Sequence, residues 1–309
     1  MEQFKSKPYW LTLICVLLVA GVPAGLSQDN VKEVKLLAHG FLFPEGPAVD
    51  REGNVYLVNL ENGIINKVTP AGEVSVFVDT GANNQSCIFD GQGNLYICHN
   101  QPGRTGILKA DKTGKLSVVT LTSGGKPILR TNDMAWGKDE RLYFTAPDRD
   151  VIHPAGEIHY IDTDGKTRSF ASGLVFANGI TFSADKTWLY VGEERAARQL
   201  STIWRYRVNP DGSAAAAGKE VFYRFSGKSY GVDGMKFDQQ GNLWVAMYSE
   251  SELWCFSPEG QKIDSIPIPG KNPTNLIFGG PDRRTAYVTV NHDRDGRLFA
   301  VRMPVPGAP

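Results

Sequence analysis

Six residues in this chain share one chemical property: Glu45, Gln85, Asn132, Asn178, Asp233 and Asn275 each carry a side-chain oxygen. They fall in one column of an internal alignment. An apolar run follows each of them: Pro47-Ala-Val, Cys87-Ile-Phe, Met134-Ala-Trp, Ile180-Thr-Phe, Met235-Lys-Phe and Ile277-Phe. Convergent oxygen donors, two of them carboxylates, suit a hard divalent cation, Ca²⁺ first. The column holds no His or Cys, which argues against Zn²⁺ as the preferred metal, and Mg²⁺ and Mn²⁺ are further alternatives. Asn and Asp also make turns before strands, so each member has a local explanation too. Glu is not a usual turn residue, yet Glu45 stands in Phe43-Pro-Glu-Gly-Pro. Asp233 stands in Gly231-Val-Asp-Gly-Met, where Asn would serve a turn equally well.

The elements that must gather this column are legible as a repeat. One phrase recurs as Gly53-Asn-Val-Tyr-Leu-Val, Gly93-Asn-Leu-Tyr-Ile-Cys, Glu140-Arg-Leu-Tyr-Phe-Thr, Thr187-Trp-Leu-Tyr-Val-Gly, Gly241-Asn-Leu-Trp-Val-Ala and Arg284-Thr-Ala-Tyr-Val-Thr. Turns such as Asp50-Arg-Glu-Gly, Asp90-Gly-Gln-Gly and Asp238-Gln-Gln-Gly precede it, which is hairpin chemistry. A third apolar segment and a fourth alternating strand follow, as in Val74-Ser-Val-Phe-Val. Period-two alternation at this turn density means antiparallel β throughout. Six four-stranded units of roughly 40 to 50 residues match the blades of a six-bladed β-propeller. The last unit runs out after its third strand, Arg297–Arg302. The strand-like run from Val31 to Ala38 is expected to supply the missing outer strand and so close the ring. In such a fold the innermost strands line a central channel, and the oxygen column becomes a ring.

Length and charge set outer limits. The chain has 309 residues, with 33 Lys+Arg against 33 Asp+Glu. A net charge of zero argues against a nucleic-acid partner, which normally calls for a basic excess. Lys5 and Lys7, an apolar run from Trp10 to Val22 and the small residues Pro23-Ala-Gly-Leu-Ser read as a secretory signal peptide over residues 1–27. The run is shorter than the roughly 20 residues a comfortable membrane span needs, so no stable insertion is expected after cleavage. Residues 28–309 then form the propeller, in a secreted or periplasmic protein.

The motifs around the column carry a family resemblance. Glu45-Gly46-Pro47, Arg130-Thr-Asn-Asp-Met-Ala, Ala177-Asn-Gly-Ile-Thr-Phe-Ser-Ala-Asp and Val232-Asp-Gly-Met-Lys-Phe-Asp resemble the gluconolactonase/regucalcin/luciferin-regenerating-enzyme family, in order and at blade spacing. The resemblance implies a six-bladed propeller with a divalent metal, usually calcium, at the centre of one face. It implies Glu45, Asn178 and Asp233 as metal ligands, Asn132 and Arg130 as pocket and substrate contacts, and Asp233 as catalytic base. Gln85 and Asn275 would be ring neighbours. Three departures put substrate identity in doubt: Thr131 stands where Pro is often found, Ala146 where Asp is common, and Gln85-Ser86 replaces an Asn-Gly pair.

The chemistry that follows is opening of a lactone ring, of a sugar lactone such as gluconolactone, by water. The alternative is a propeller that binds calcium and a small ligand or partner without catalysis, since fold does not decide function. Ser-His-Asp catalysis finds no G-x-S-x-G setting. The five histidines, His39, His99, His153, His159 and His292, show no metal spacing. Glu193-Glu194-Arg195 reads as a solvated rim, with a role in the pocket as the alternative. Cys87 and Cys98 are expected to face each other across the Asp90–Leu95 hairpin, either as a disulfide, which an oxidising compartment permits, or as two small buried hydrophobes.

Overall fold

The turns between strands fold by local hydrogen bonding. The Asp50 carboxylate accepts from the amides of Glu52 and Asn54, and Gly53 adopts φ +84° to complete the turn. Asp90 and Asp238 do the same for Gln92, Asn94, Gln240 and Asn242, with Gly93 and Gly241 in the left-handed region. A side chain with a Cβ is disfavoured at such a φ, which is why Gly closes each of these hairpins. The fold is taken from a computed structural model that describes residues 32–309 except 149, 151, 195–200 and 228–230. The expected signal peptide, residues 1–27, lies outside the described residues.

Between these turns lie six four-stranded antiparallel sheets. Blade 1 runs through Pro44–Val49, Val55–Asn59, Ile64–Val68 and Val74–Asp79; blade 2 through Asn83–Phe89, Leu95–Asn100, Gly106–Ala110 and Leu116–Thr120. Blade 3 comprises Met134–Trp136, Leu142–Ala146, Gly156–Ile161 and Thr167–Leu174. A short hairpin of Thr122–Ser123 and Lys126–Pro127 precedes it. Blades 4 and 5 begin at Phe176–Phe182 and Val232–Phe237. In every blade the first strand is innermost and contacts the first strand of the next, and that of blade 6, Pro273–Gly279, returns to blade 1. The six-bladed β-propeller read from the repeat is the fold. Among the described residues there is no α-helix, only a 3₁₀ turn at Lys138–Glu140. None of their helices is long and apolar enough to cross a membrane.

Ring closure has the form that the repeat count implies. The outer strand of blade 6 is Val34–Phe41, paired antiparallel with Gly296–Arg302. It begins and ends three residues later than the run marked in the sequence. Core side chains fill the gaps between blades. One cluster gathers Trp244, Ile266, Leu276 and Val288 from blades 5 and 6; another gathers Tyr143, Phe170, Ile180 and Val191 from blades 3 and 4.

The cysteine pairing is corrected. Asp90 donates its amide to the Asn94 carbonyl, so Phe89 faces Leu95 and Cys87 faces Ile97. Cys98 lies one residue further on, and successive strand residues point to opposite faces. Cys87, Cys98 and Cys255 are buried free thiols, and burial pushes their pKa values up.

The closing strand generates a prediction. Deleting residues 34–41 uncovers the backbone edge of Gly296–Arg302, and exposed edges template association. The expected result is a lower Tm with concentration-dependent oligomers by light scattering; an unchanged, monomeric melt would contradict the closure account.

Candidate functional site

The oxygen column sits on irregular backbone. The inner strands of blades 1, 2, 4, 5 and 6 each slip register against their neighbour, between Glu45 and Ala48, Asn84 and Cys87, Ala177 and Ile180, Val232 and Met235, and Pro273 and Asn275. A bulge re-aims the residues it contains. Each slip falls at or beside a column residue, near the N-terminal end of an inner strand.

Glycine sets how tightly the ring closes there. A Cβ on Gly46 would lie 2.2 Å from Ser86 Cα, one on Gly179 2.1 Å from the Asp233 carbonyl oxygen, and one on Gly234 2.0 Å from Asn275 Cγ. Glu45, Asn178 and Asp233 are therefore each followed by a glycine over which the next blade closes. The motifs Glu-Gly-Pro, Asn-Gly-Ile and Asp-Gly-Met thus pair a donor with the absence of a side chain. Close approach carries Glu45, Asn178 and Asp233 inward, each only 7% exposed.

Burial and like charge dominate the electrostatics of these residues. Desolvation pushes the Glu45 carboxyl up to about 8, opposed by the Gly46 amide and reinforced by Asp133. Asp233 is raised well above the usual carboxylate range, first by burial and then by the charge of Glu45. Glu194 and Asp133 add to this, and the Asn178 side chain partly offsets it. Glu45 Oε2 accepts from the Gly46 amide at 2.9 Å. Among the described residues no Lys, Arg or His forms an ion pair with either carboxylate. The groups fit a hard cation: every donor is oxygen, and two buried carboxylates, one raised by the charge of the other, gain from a nearby positive charge. Among the described residues no group of three or more His, Cys, Asp or Glu forms a metal cage. The fitting set is two carboxylates and one amide.

Of the other predicted residues, Asn275 adjoins Glu45 and the remaining three lie to one side. Gln85, Arg130 and Asn132 line a cavity of about 400 Å³ together with Asn100, Leu129 and Phe176. Arg130 is exposed, and Asn132 is half-buried, with its amide donated to the Thr145 carbonyl. Gln85 donates to Asn83 Oδ1. Asn275 is buried, its Oδ1 accepting from the Leu276 amide at 2.8 Å. The structure thus gathers Glu45, Asn178 and Asp233 as one group and Gln85, Arg130 and Asn132 as another.

Two neighbours escaped the sequence reading, and a third was misread. Asp133 is buried, and its carboxylate accepts from the amides of Met134 at 2.8 Å and Ile180 at 3.3 Å, tying blade 3 to blade 4. Its signal was available: an acid stands where Gly46, Gly179 and Gly234 stand in other blades. Tyr248 feels the carboxylates of Asp233, Glu45 and Glu194, which help raise its pKa after burial does. It stacks on Phe43, with ring centroids 6.5 Å apart, and its hydroxyl accepts from Asn291 Nδ2. Glu193 is fully buried rather than a solvated rim, accepting from the Val175 amide and Trp204 Nε1, each at 2.7 Å. Glu194 is the member of that pair whose charge reaches Asp233; Arg195 lies outside the described residues. His99 is buried against Asn84 and Gln101, whereas His153 is exposed beside Asp150.

Comparison with known proteins gives a consistent picture. Residues 43–292 match the family model described as the SMP-30/Gluconolactonase/LRE-like region. The chain is 29% identical over 164 residues to 6-deoxy-6-sulfogluconolactonase of Pseudomonas putida; the match covers 49% of this chain and 54% of that protein. It is 29% identical over 239 residues to lactonase drp35 of Staphylococcus epidermidis, covering 75% of this chain and 72% of that one. Among solved structures, a calcium-binding regucalcin from Agrobacterium tumefaciens superposes with a TM-score of 0.77 at 22% identity. That superposition covers 89% of this chain and 95% of the other.

The glycine contacts generate a prediction. In Gly179→Ala the new Cβ meets backbone, which cannot swing aside. Overpacking of this kind costs about 1–3 kcal/mol. The variant should melt at lower temperature, while Gly91→Ala, with nothing within 4 Å, should melt as the unaltered chain does. Equal melting of the two variants would refute the packing argument.

Proposed function

We propose, from the premise that this chain belongs to the SMP-30/gluconolactonase/LRE-like family, that it is a metal-dependent hydrolase that opens the ring of a sugar lactone. The single observation that carries this reading is the gathering of Glu45, Asn178 and Asp233, two buried carboxylates and an amide with no cationic partner among the described residues. Two curated relatives named as lactonases support the reaction class. The solved relative described as a calcium-binding protein supports the choice of Ca²⁺.

Glu45, Asn178 and Asp233 would hold the cation. When bound, it supplies a Lewis acid for the lactone carbonyl and charge for the oxyanion that forms on attack. Asp233 accepts the proton of the attacking water, the role of a general base. The ring C–O bond then breaks, and the proton passes to the leaving oxygen to give a hydroxy acid. Arg130 offers a planar fork to hydroxyl or carboxylate oxygens of the sugar acid. Asn132, on the same wall of the cavity, can both donate to and accept from a polyol. Tyr248 and Phe43 form an aromatic pair beside the carboxylates, a surface suited to the apolar face of a sugar ring. The N-terminal run over residues 1–27 supports export, so the working compartment is proposed to be periplasmic or extracellular.

Mutant kinetics test the reading. Asp233→Asn should lower kcat on a sugar lactone by about 10²–10⁴-fold, the range of one general base. It should also lose the rise in Tm that calcium gives the unaltered chain. Arg130→Ala should raise KM more than it lowers kcat. A chain that calcium stabilises but that turns over no member of a lactone panel would support the non-catalytic binding alternative instead.

A further inference from the structure

The same inner strands carry a second set of groups at their C-terminal ends. Three residues beyond Asp233 stands Lys236, about 10 Å along the strand. Lys236, Lys186 and Arg283 line a cavity of about 280 Å³ with Trp136, Phe182 and Phe278. A second cavity of about 220 Å³ shares Lys236, Arg283 and Phe278, and reaches inward to Asp133 and Asn275. The two share these walls at the C-terminal ends of the inner strands.

This end has the reverse electrostatic character. Among the described residues none of its three cations pairs with a carboxylate. Lys186 Nζ donates to the Trp136 carbonyl and Lys236 Nζ to the Met235 carbonyl, each at 3.1 Å, which leaves donors spare on both. Arg283 Nε donates to the Gly307 carbonyl at 3.0 Å, and its guanidinium also reaches the Ala308 carbonyl. Carbonyl partners position these heads without neutralising them. Burial lowers the Lys186 pKa, and the charge of Lys236 lowers it further, so the two ammonium groups feel each other. An anion between them relieves that repulsion and gains charge-assisted hydrogen bonds. The walls select what the anion is attached to. Four aromatic side chains, Trp136, Phe182, Phe237 and Phe278, surround the cationic heads and leave little for a polyol to bond with. An apolar cavity with a few convergent polar groups is the usual form of a small-molecule site.

We propose that the channel mouth formed by Lys186, Lys236 and Arg283 is a second ligand site, which takes a small carboxylate with an aromatic or aliphatic body. The site is separate from the lactone-opening centre and does not depend on that reading. Its occupant inserts the apolar part among Phe182, Phe237 and Phe278 and leaves the carboxylate between the two lysines. Trp136 lies in the wall and reports occupancy by its fluorescence.

Titration of the full chain with 2-naphthoate and with uncharged 2-naphthamide, followed by Trp fluorescence and calorimetry, tests this. The carboxylate should bind at least about tenfold tighter than the amide, and Lys236→Met should lower its affinity by at least about tenfold. Lys236→Arg, which keeps the charge, should retain binding. Equal affinity for the two ligands, no binding of 2-naphthoate at millimolar concentration, or unchanged binding in folded Lys236→Met would overturn the proposal. Should Lys236→Met not fold, the comparison of carboxylate with amide on the unaltered chain decides the matter alone.

Discussion

Two carboxylates that should repel are forced into one dry place, and the ring is built around that constraint. Glu45 and Asp233 come from blades nearly two hundred residues apart, each is almost wholly buried, and the charge of Glu45 adds to burial in raising the proton affinity of Asp233. A pair of buried like charges is destabilising unless a counter-charge or protons intervene. Holding it therefore requires a scaffold whose other interactions are strong. The interlocked blade cores, the strand that closes the ring and the backbone contacts at Gly46 and Gly179 are those interactions.

Much of this was written in the sequence because repetition makes it redundant. Six copies of the apolar-aromatic phrase and the Asp-x-x-Gly turns specify the blades, and the missing fourth strand of the last unit specifies the closure. The oxygen column was legible for the same reason: residues at equivalent places in equivalent blades must face the axis together. What repetition does not encode is register. The Asp90–Asn94 loop closes one residue earlier than the spacing of Cys87 and Cys98 suggests, and that single step removes the expected pairing. Glu45, Asn178 and Asp233 are also set apart from Gln85 and Asn132, which line a cavity to one side, although all five share one column.

Departures from the repeat proved as informative as the repeat itself. Asp133 occupies the place of a glycine and spends its carboxylate on amides of two blades. Glu193 looked like surface charge and is instead fully buried, holding Val175 and Trp204. Lys236 follows a run of core residues on an inner strand, where a cation is unexpected, and marks the other end of the channel. The balanced charge of the chain, 33 basic against 33 acidic residues, thus conceals an axis that is acidic at one mouth and basic at the other.

The measurement that bears most directly on this account is anomalous diffraction from crystals soaked in Mn²⁺, with a parallel Ca²⁺ soak for occupancy. The account predicts one strong peak on the channel axis, bonded to side-chain oxygens of Glu45, Asn178 and Asp233 at about 2.1–2.6 Å. A map with no peak between these side chains, or with the metal held at other residues, would contradict it.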